Sequence, residues 1–283
     1  MRLKSYGYHV RANGVRLHLL HYGGPGPRLL LLPGITSPAI TWGFVAERLA
    51  RHFDVHVLDF RGRGLTSATP GMDASLDALA SDVLDLLHVL GWSAATLLGH
   101  SMGARVAIRA AARNPDRVAR LLLVDPPVTG PGRRAYPTPL SWYVDSIRMA
   151  ALGTTAEALR PFAPTWSEEQ LRLRAEWLHT CDEDAIVQAY RGFHDDDIHA
   201  DLPRLRVPGL LMAAGRGGVI LPDDLAEISM LAPGLVHCTA ANAGHMVPWD
   251  DEQDFFQLLA DYLRLHLPYA PIHSSNHPSA ICT

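Results

Sequence analysis

At 283 residues, with 48% hydrophobic and 19% charged residues, the chain can bury one large core plus a smaller element and is too apolar to be disordered. A formal net charge of -4 and the absence of any Lys/Arg-rich run speak against a nucleic-acid groove or a basic membrane patch. Cys181, Cys238 and Cys282 stand far apart without CxxC spacing, the opening MRLKSYGYHV has no apolar leader, and no apolar run reaches membrane length; together these predict a cytoplasmic protein in a reducing compartment.

Tyr6–Val10 and Val15–Tyr22 flank Asn13-Gly14, which predicts a hairpin. Arg28–Leu32 is a short apolar strand closed by Pro33-Gly34, Thr41–Arg51 has helical spacing, and Val55–Leu58 is the next buried strand. Asp73–Leu90 is an amphipathic helix stopped by Gly91, Thr96–Leu98 is a strand, Ala104–Arg113 a helix and Leu121–Val124 a strand. Short apolar strands alternating with helices predict an α/β fold, a mostly parallel sheet flanked by helices.

The rhythm breaks after Pro126-Pro127. Residues 128–200 are rich in aromatics, with helices expected around Trp142–Leu152 and Glu168–His179, and form a helical lid inserted after the sixth core strand. Gly209–Ala213, a helix from Asp223 to Met230, a strand near Leu235–Cys238 and a helix over Glu252–Leu265 restore it. The expected organisation is therefore a core of residues 1–127 and 201–267, the lid at 128–200, and a flexible tail at 268–283.

Gly99-His100-Ser101-Met102-Gly103 matches G-x-S-x-G between a strand and a helix. A sharp turn there lifts the Ser101 hydroxyl off the sheet, the glycines let the backbone crowd, and the helix N-terminus offers N–H groups to a developing oxyanion. A hydroxyl needs a base. His100 adjoins the serine and is expected to point away and shape the elbow, whereas His245, in Asn242-Ala243-Gly244-His245, follows the last strand at the sheet edge where α/β sites lie. The acid has two placements. Asp125 sits at the carboxyl end of Leu121–Val124; Asp223 or Asp224 is the reserve, because the loop Gly215–Ile220 carries no carboxylate. The Pro33-Gly34-Ile35-Thr36 loop puts the second oxyanion donor at the Ile35 N–H, paired with that of Met102.

Gly62-Arg63-Gly64 and Gly23-Gly24-Pro25-Gly26 match no phosphate motif, and His194–His199 lacks a metal-ligand spacing, so neither cofactor nor metal is expected. Trp142, Tyr143, Trp166 and Trp177 are read as packing the lid, with one or two lining its cavity. Arg61, Arg63, Arg133, Arg134 and Arg148 are candidates for gripping an anionic substrate, and Tyr143 is a further substrate-binding candidate.

Several longer stretches carry a resemblance. LLPGITSPAITWGFVAERLA (Leu31–Ala50), DFRGRGLTS (Asp59–Ser67), LLGHSMGARVAIRAAA (Leu97–Ala112), LLLVDPPVTGPGRRAYP (Leu121–Pro137), RAEWLHTC (Arg174–Cys181), AGRGGVI (Ala214–Ile220) and NAGHMVPWDD (Asn242–Asp251) are similar to the N-formylmaleamate deformylases, within the α/β-hydrolase superfamily. GHSMG and NAGH recur throughout that superfamily, whereas VDPPVTGPGRRAYP and RAEWLHTC are far more specific. The resemblance runs from Asn13 to about Leu263 and implies a serine hydrolase of bacterial nicotinate degradation. Such an enzyme takes a small anionic amide and water and releases formate from N-formylmaleamate to leave maleamate. It implies Ser101, Asp125 and His245 as the triad, and the family shares the unusual glycine-filled loop at Ala214–Ile220. A carboxylesterase or a carbon–carbon bond hydrolase of the same fold is the alternative.

Overall fold

The computed structural model describes residues 5–266; the tail expected at 268–283 lies outside them. Eight strands form one sheet: β1 (Tyr6–Ala12), β2 (Val15–Gly23), β3 (Arg28–Leu32), β4 (Asp54–Asp59), β5 (Ala95–His100), β6 (Val118–Val124), β7 (Gly209–Ala214) and β8 (Leu235–Ala240). Their order is β1-β2-β4-β3-β5-β6-β7-β8, antiparallel at β1/β2 and β2/β4 and parallel from β4 onward. The β1/β2 hairpin turns on Asn13 (φ 46°) and Gly14 (φ 74°), the paired positive φ angles that a two-residue turn of this hand requires.

Why the parallel strands read as unbroken apolar runs is visible in their packing. Side chains alternate across a strand, so Leu30, Leu32, Leu97, Leu121 and Leu123 join one core while Leu29, Leu31, Leu98, Leu122 and Val124 join the other. Helices cover both faces and leave no polar side to the central strands. α2 (Leu76–Val89) and α3 (Met102–Arg113) pack on the first core; α1 (Gly43–Leu49) and α10 (Glu252–His266) pack on the second. The helix expected from Asp73 begins at Leu76 because Ser75 caps it, its hydroxyl accepting from the Ala78 N–H at 3.3 Å.

Between β6 and β7 lie α4 (Leu140–Ala151), α5 (Ala156–Leu159), α6 (Glu168–Trp177) and α7 (Glu183–Asp195). The α7 helix was not anticipated. Its apolar stripe of Ala185, Ile186, Ala189 and Phe193 is buried, and the acidic run Asp195–Asp197 begins at its last residue. Arg105 of α3 fastens this region to the core, donating to the carbonyls of Pro127, Thr129, Gly192 and Asp196 at 2.7–3.0 Å. After β7 come α8 (Pro222–Leu231), then β8, the short α9 (Val247–Asp250) and α10. Among the described residues no helix is long and apolar enough to cross a membrane.

Candidate active site

Ser101 stands between β5 and α3 in the left-handed region, with φ 53° and ψ -119°. Only a tightly over-determined turn keeps a non-glycine residue there. The two flanking glycines are demanded by close backbone approach. A Cβ on Gly99 would lie 2.5 Å from the Gly103 carbonyl oxygen, and one on Gly103 would lie 1.9 Å from that of Leu32. Asp125 also has a positive φ, 45°, one strand over at the end of β6. The Ser101 N–H donates to the Val124 carbonyl at 2.9 Å and the Asp125 N–H to that of Met212 at 2.8 Å, so each turn is stitched to the neighbouring parallel strand.

His245 joins them. Its Nδ1–H donates to Asp125 Oδ2 at 2.7 Å, which leaves Nε2 to accept from the Ser101 hydroxyl at 2.9 Å. Asp125 is fully buried, and its Oδ1 accepts from the Ala214 N–H at 3.1 Å. The glycine-filled loop after β7 now has a physical reason. A Cβ on Gly217 would lie 3.2 Å from Asp125 Oδ2 and 3.1 Å from the His245 nitrogen, so the β6 carboxylate already fills that space. The reserve acids lie elsewhere: Asp224 pairs with Arg134 and accepts from the Leu221 N–H, and Asp223 sits in the first turn of α8.

His100 supports the loop that carries His245. Its ring is buried against Trp42 and its Nε2–H donates to the His245 carbonyl at 2.9 Å; burial lowers its pKa from 6.5 to about 3. The neutral ring thus fixes the backbone of the histidine loop. On the other side of the serine, the Met102 N–H opens α3 and has no intrahelical acceptor. Among the described residues no backbone carbonyl accepts from the N–H of Met102 or Ile35. Arg63 holds the Ile35 loop, donating to the carbonyls of Ile35 at 3.0 Å and Arg61 at 2.7 Å, with its other end 3.7 Å from the Met102 sulfur.

These groups face a cavity of about 470 Å³. The core contributes Ile35, Thr36, Ser101 and His245 to its walls, and the α4–α6 region contributes Trp142, Tyr143, Phe162, Trp166 and Arg174. Of the residues expected to bind substrate, Tyr143 reaches this wall, with its hydroxyl donating to that of Tyr136 at 3.3 Å. The arginines do not. Arg61 is locked against Asp82, Arg133 against Glu227, Arg134 against Asp224 and Arg148 against Glu183, and Arg63 is spent on carbonyls.

Two residues that the sequence reading passed over occupy the site. The Tyr136 hydroxyl lies 3.2 Å from His245 Nε2, beside the serine, and burial holds its pKa well above the ordinary phenol value. Arg174 is a cavity-lining, buried cation between Trp142 and Trp166. Both fall inside the two most family-specific stretches, which was the signal available for them.

A strained serine elbow at the carboxyl edge of a parallel sheet, with a histidine and a buried carboxylate in series, is the architecture of an α/β hydrolase. The α/β-hydrolase fold family matches residues 19–252, and the chain belongs to that family. Within it, the chain is 59% identical over 257 residues to N-formylmaleamate deformylase of Pseudomonas putida, a match spanning 91% of this chain and 96% of that protein. The crystal structure of an N-formylmaleamic acid deformylase from Pseudomonas putida aligns with a TM-score of 0.87 at 54% identity, covering 90% of this chain and 100% of that one. E-2-(acetamidomethylene)succinate hydrolase, at 22% identity and a TM-score of 0.76 over 92% of this chain and 99% of its own, shares the fold.

Proposed function

We propose that this chain is a serine hydrolase that cleaves the formyl C–N bond of N-formylmaleamate to give maleamate and formate. The observation that carries the chemistry is the continuous series Asp125–His245–Ser101 opening onto the cavity. The observation that carries the substrate is the identity of 59% to an enzyme of that name along nearly the whole of both chains.

In this reading His245 Nε2 takes the Ser101 proton as the hydroxyl oxygen attacks the formyl carbon, while Asp125 keeps Nδ1 protonated and stabilises the imidazolium. The N–H groups of Ile35 and Met102 receive the oxyanion of the tetrahedral intermediate, an interaction strongest when charge develops. Collapse breaks the C–N bond, and His245 hands its proton to the departing amide nitrogen of maleamate. Water, deprotonated by the same imidazole, then attacks the formyl-serine and releases formate. No step calls for a metal or a cofactor. Residues 128–200 act as the lid, since the aromatic half of the cavity wall comes from them, and they keep bulk water from the acyl-enzyme. The free, buried thiol of Cys181 is in keeping with a cytoplasmic enzyme.

The test is formate release from N-formylmaleamate by the wild-type protein and by S101A. Stoichiometric formate from the former and none above background from the latter is expected. Formate release by S101A at the wild-type rate would remove the serine from the mechanism.

A further inference from the structure

We propose that Arg174 is the receptor for the carboxylate of the substrate's leaving portion, and so sets the preference of this cavity for an acyclic N-acyl amide that ends in an anion. The proposal rests on the deformylase reading for the substrate's identity, but the pocket chemistry stands on its own observations.

The first is an accounting of cations. The other arginines named above are neutralised by carboxylates or saturated by carbonyls. Arg105, equally buried, has four carbonyl acceptors at 2.7–3.0 Å. Arg174 is 5% exposed and has no carboxylate partner among the described residues. It makes only two long contacts, from Nη1 to the Thr36 carbonyl at 3.4 Å and from Nη2 to the Thr36 hydroxyl at 3.5 Å. Its Nε is buried without an acceptor. A guanidinium has five N–H donors in a flat fork, so most of its bonding capacity here is unused. Leaving a desolvated cation in that condition is costly unless something anionic completes it.

The second observation is how it is held. Trp142 and Trp166 each place a ring centroid 5.6 Å from the guanidinium carbon. Trp166 in turn stacks on Trp249 at 5.1 Å with 18° between planes. This aromatic seat stabilises a cation through the ring quadrupoles without neutralising it, and it restricts the plane in which the fork can receive a carboxylate.

The third is position. Arg174 touches Thr36, the residue after Ile35, and all three line the cavity together with Ser101. In N-formylmaleamate five bonds separate the formyl carbon from the carboxylate carbon, and the cis alkene folds that span to about 6 Å or less at ordinary bond lengths. Ser101 and Arg174 line the same cavity, so the two ends of that short span are offered a nucleophile and a cation within one space. The carboxylate in the cavity wall itself, Asp250, is engaged by the Thr165 hydroxyl.

The experiment pairs enzyme and substrate charge. Formate release is measured for N-formylmaleamate and for its methyl ester with wild type, R174K and R174M, and the ratio of the two kcat/KM values is compared. Removing one partner of a buried charge pair predicts that the acid-over-ester ratio falls on the order of 100-fold or more in R174M, with partial recovery in R174K. An unchanged ratio in R174M overturns the proposal, even if both rates fall together. A second arm measures maleamate binding by calorimetry to S101A and to S101A/R174K, which needs no turnover. Weakening of binding by the second substitution supports the receptor, and equal affinities overturn it. The two readings separate cleanly: Arg174-dependent maleamate binding without formate release would refute the deformylase, and formate release with an Arg174-independent ratio would refute the receptor.

Discussion

Replacing Gly103 by alanine tests the oxyanion geometry without touching a reacting group. The added Cβ would sit 1.9 Å from the Leu32 carbonyl oxygen and 2.6 Å from that of Pro33, and both are backbone atoms that no rotamer change can remove. Reaching an ordinary separation of 3.4 Å from 1.9 Å requires a displacement of about 1.5 Å, either of the start of α3 or of the segment that leads into Gly34 and Ile35. Either movement parts the N–H of Met102 from that of Ile35. Overpacking of this kind costs about 1–3 kcal/mol of stability. Loss of one aligned oxyanion donor costs roughly 100- to 1,000-fold in kcat. Because that donor acts on the transition state, KM should move far less than kcat. Steady-state formate release and a thermal melt on the same preparation measure both effects. A folded Gly103→Ala protein with kcat within about threefold of wild type, less than 1 kcal/mol on the barrier, would refute the reasoning.

Asp125→Asn should keep the fold yet lower kcat by about 10³- to 10⁴-fold through the wrong histidine tautomer; near-normal formate release would move the acid elsewhere. Tyr136→Phe removes the hydroxyl 3.2 Å from His245 Nε2, and a net hydrogen bond of about 1 kcal/mol predicts a roughly two- to tenfold fall in kcat, with equal or faster turnover the contrary result. In acid, burial holds His100 neutral down to about 3 and, with help from His21, His56 down to about 4. The unfolded chain protonates these rings at about 6.5, so their contribution is complete above that pH and is lost as pH falls toward the folded values. Each adds up to about 1.4 kcal/mol per pH unit to the slope. His100→Gln should therefore take about one proton out of the unfolding slope between roughly pH 6 and 4.5, and an undiminished slope from urea titrations would contradict it.

Local pattern carried the core a long way. Unbroken apolar runs such as Leu29–Leu32 and Leu121–Val124 reported burial on both faces, and the pentapeptide around Ser101 carried its own steric logic in its glycines. Asp125 and His245 could be nominated because each closely follows a strand whose end lies at the same sheet edge. The cation of the cavity was not legible in that way. Arg133 and Glu227 are 94 positions apart and Arg134 and Asp224 are 90 apart, so no local pattern distinguishes a neutralised arginine from a free one. Arg174 differs from them in lacking a carboxylate partner among the described residues and in meeting two tryptophans, one on α4 and one before α6. The α7 helix escaped notice because its apolar stripe is narrow and its acidic end dominates the composition.

The left-handed turns at Ser101 and Asp125 also bear on how the scaffold can change. β5 and β6 are hydrogen-bonded neighbours in register from Thr96↔Arg120 to His100↔Val124, so the spacing between proposed nucleophile and acid is set by the sheet ladder, not by a loop. The segment after β7 is thereby released from holding a carboxylate and serves as a mooring point: Arg134 binds the Val219 carbonyl and Asp224, and Arg133 binds Glu227. Loop exchange beyond Gly218, away from the glycine that abuts Asp125, would thus re-aim the aromatic half of the pocket while the proton relay stayed at its original spacing. New substrate preferences could be grafted onto this hydrolase from the mooring side, leaving the chemistry's own foundations undisturbed.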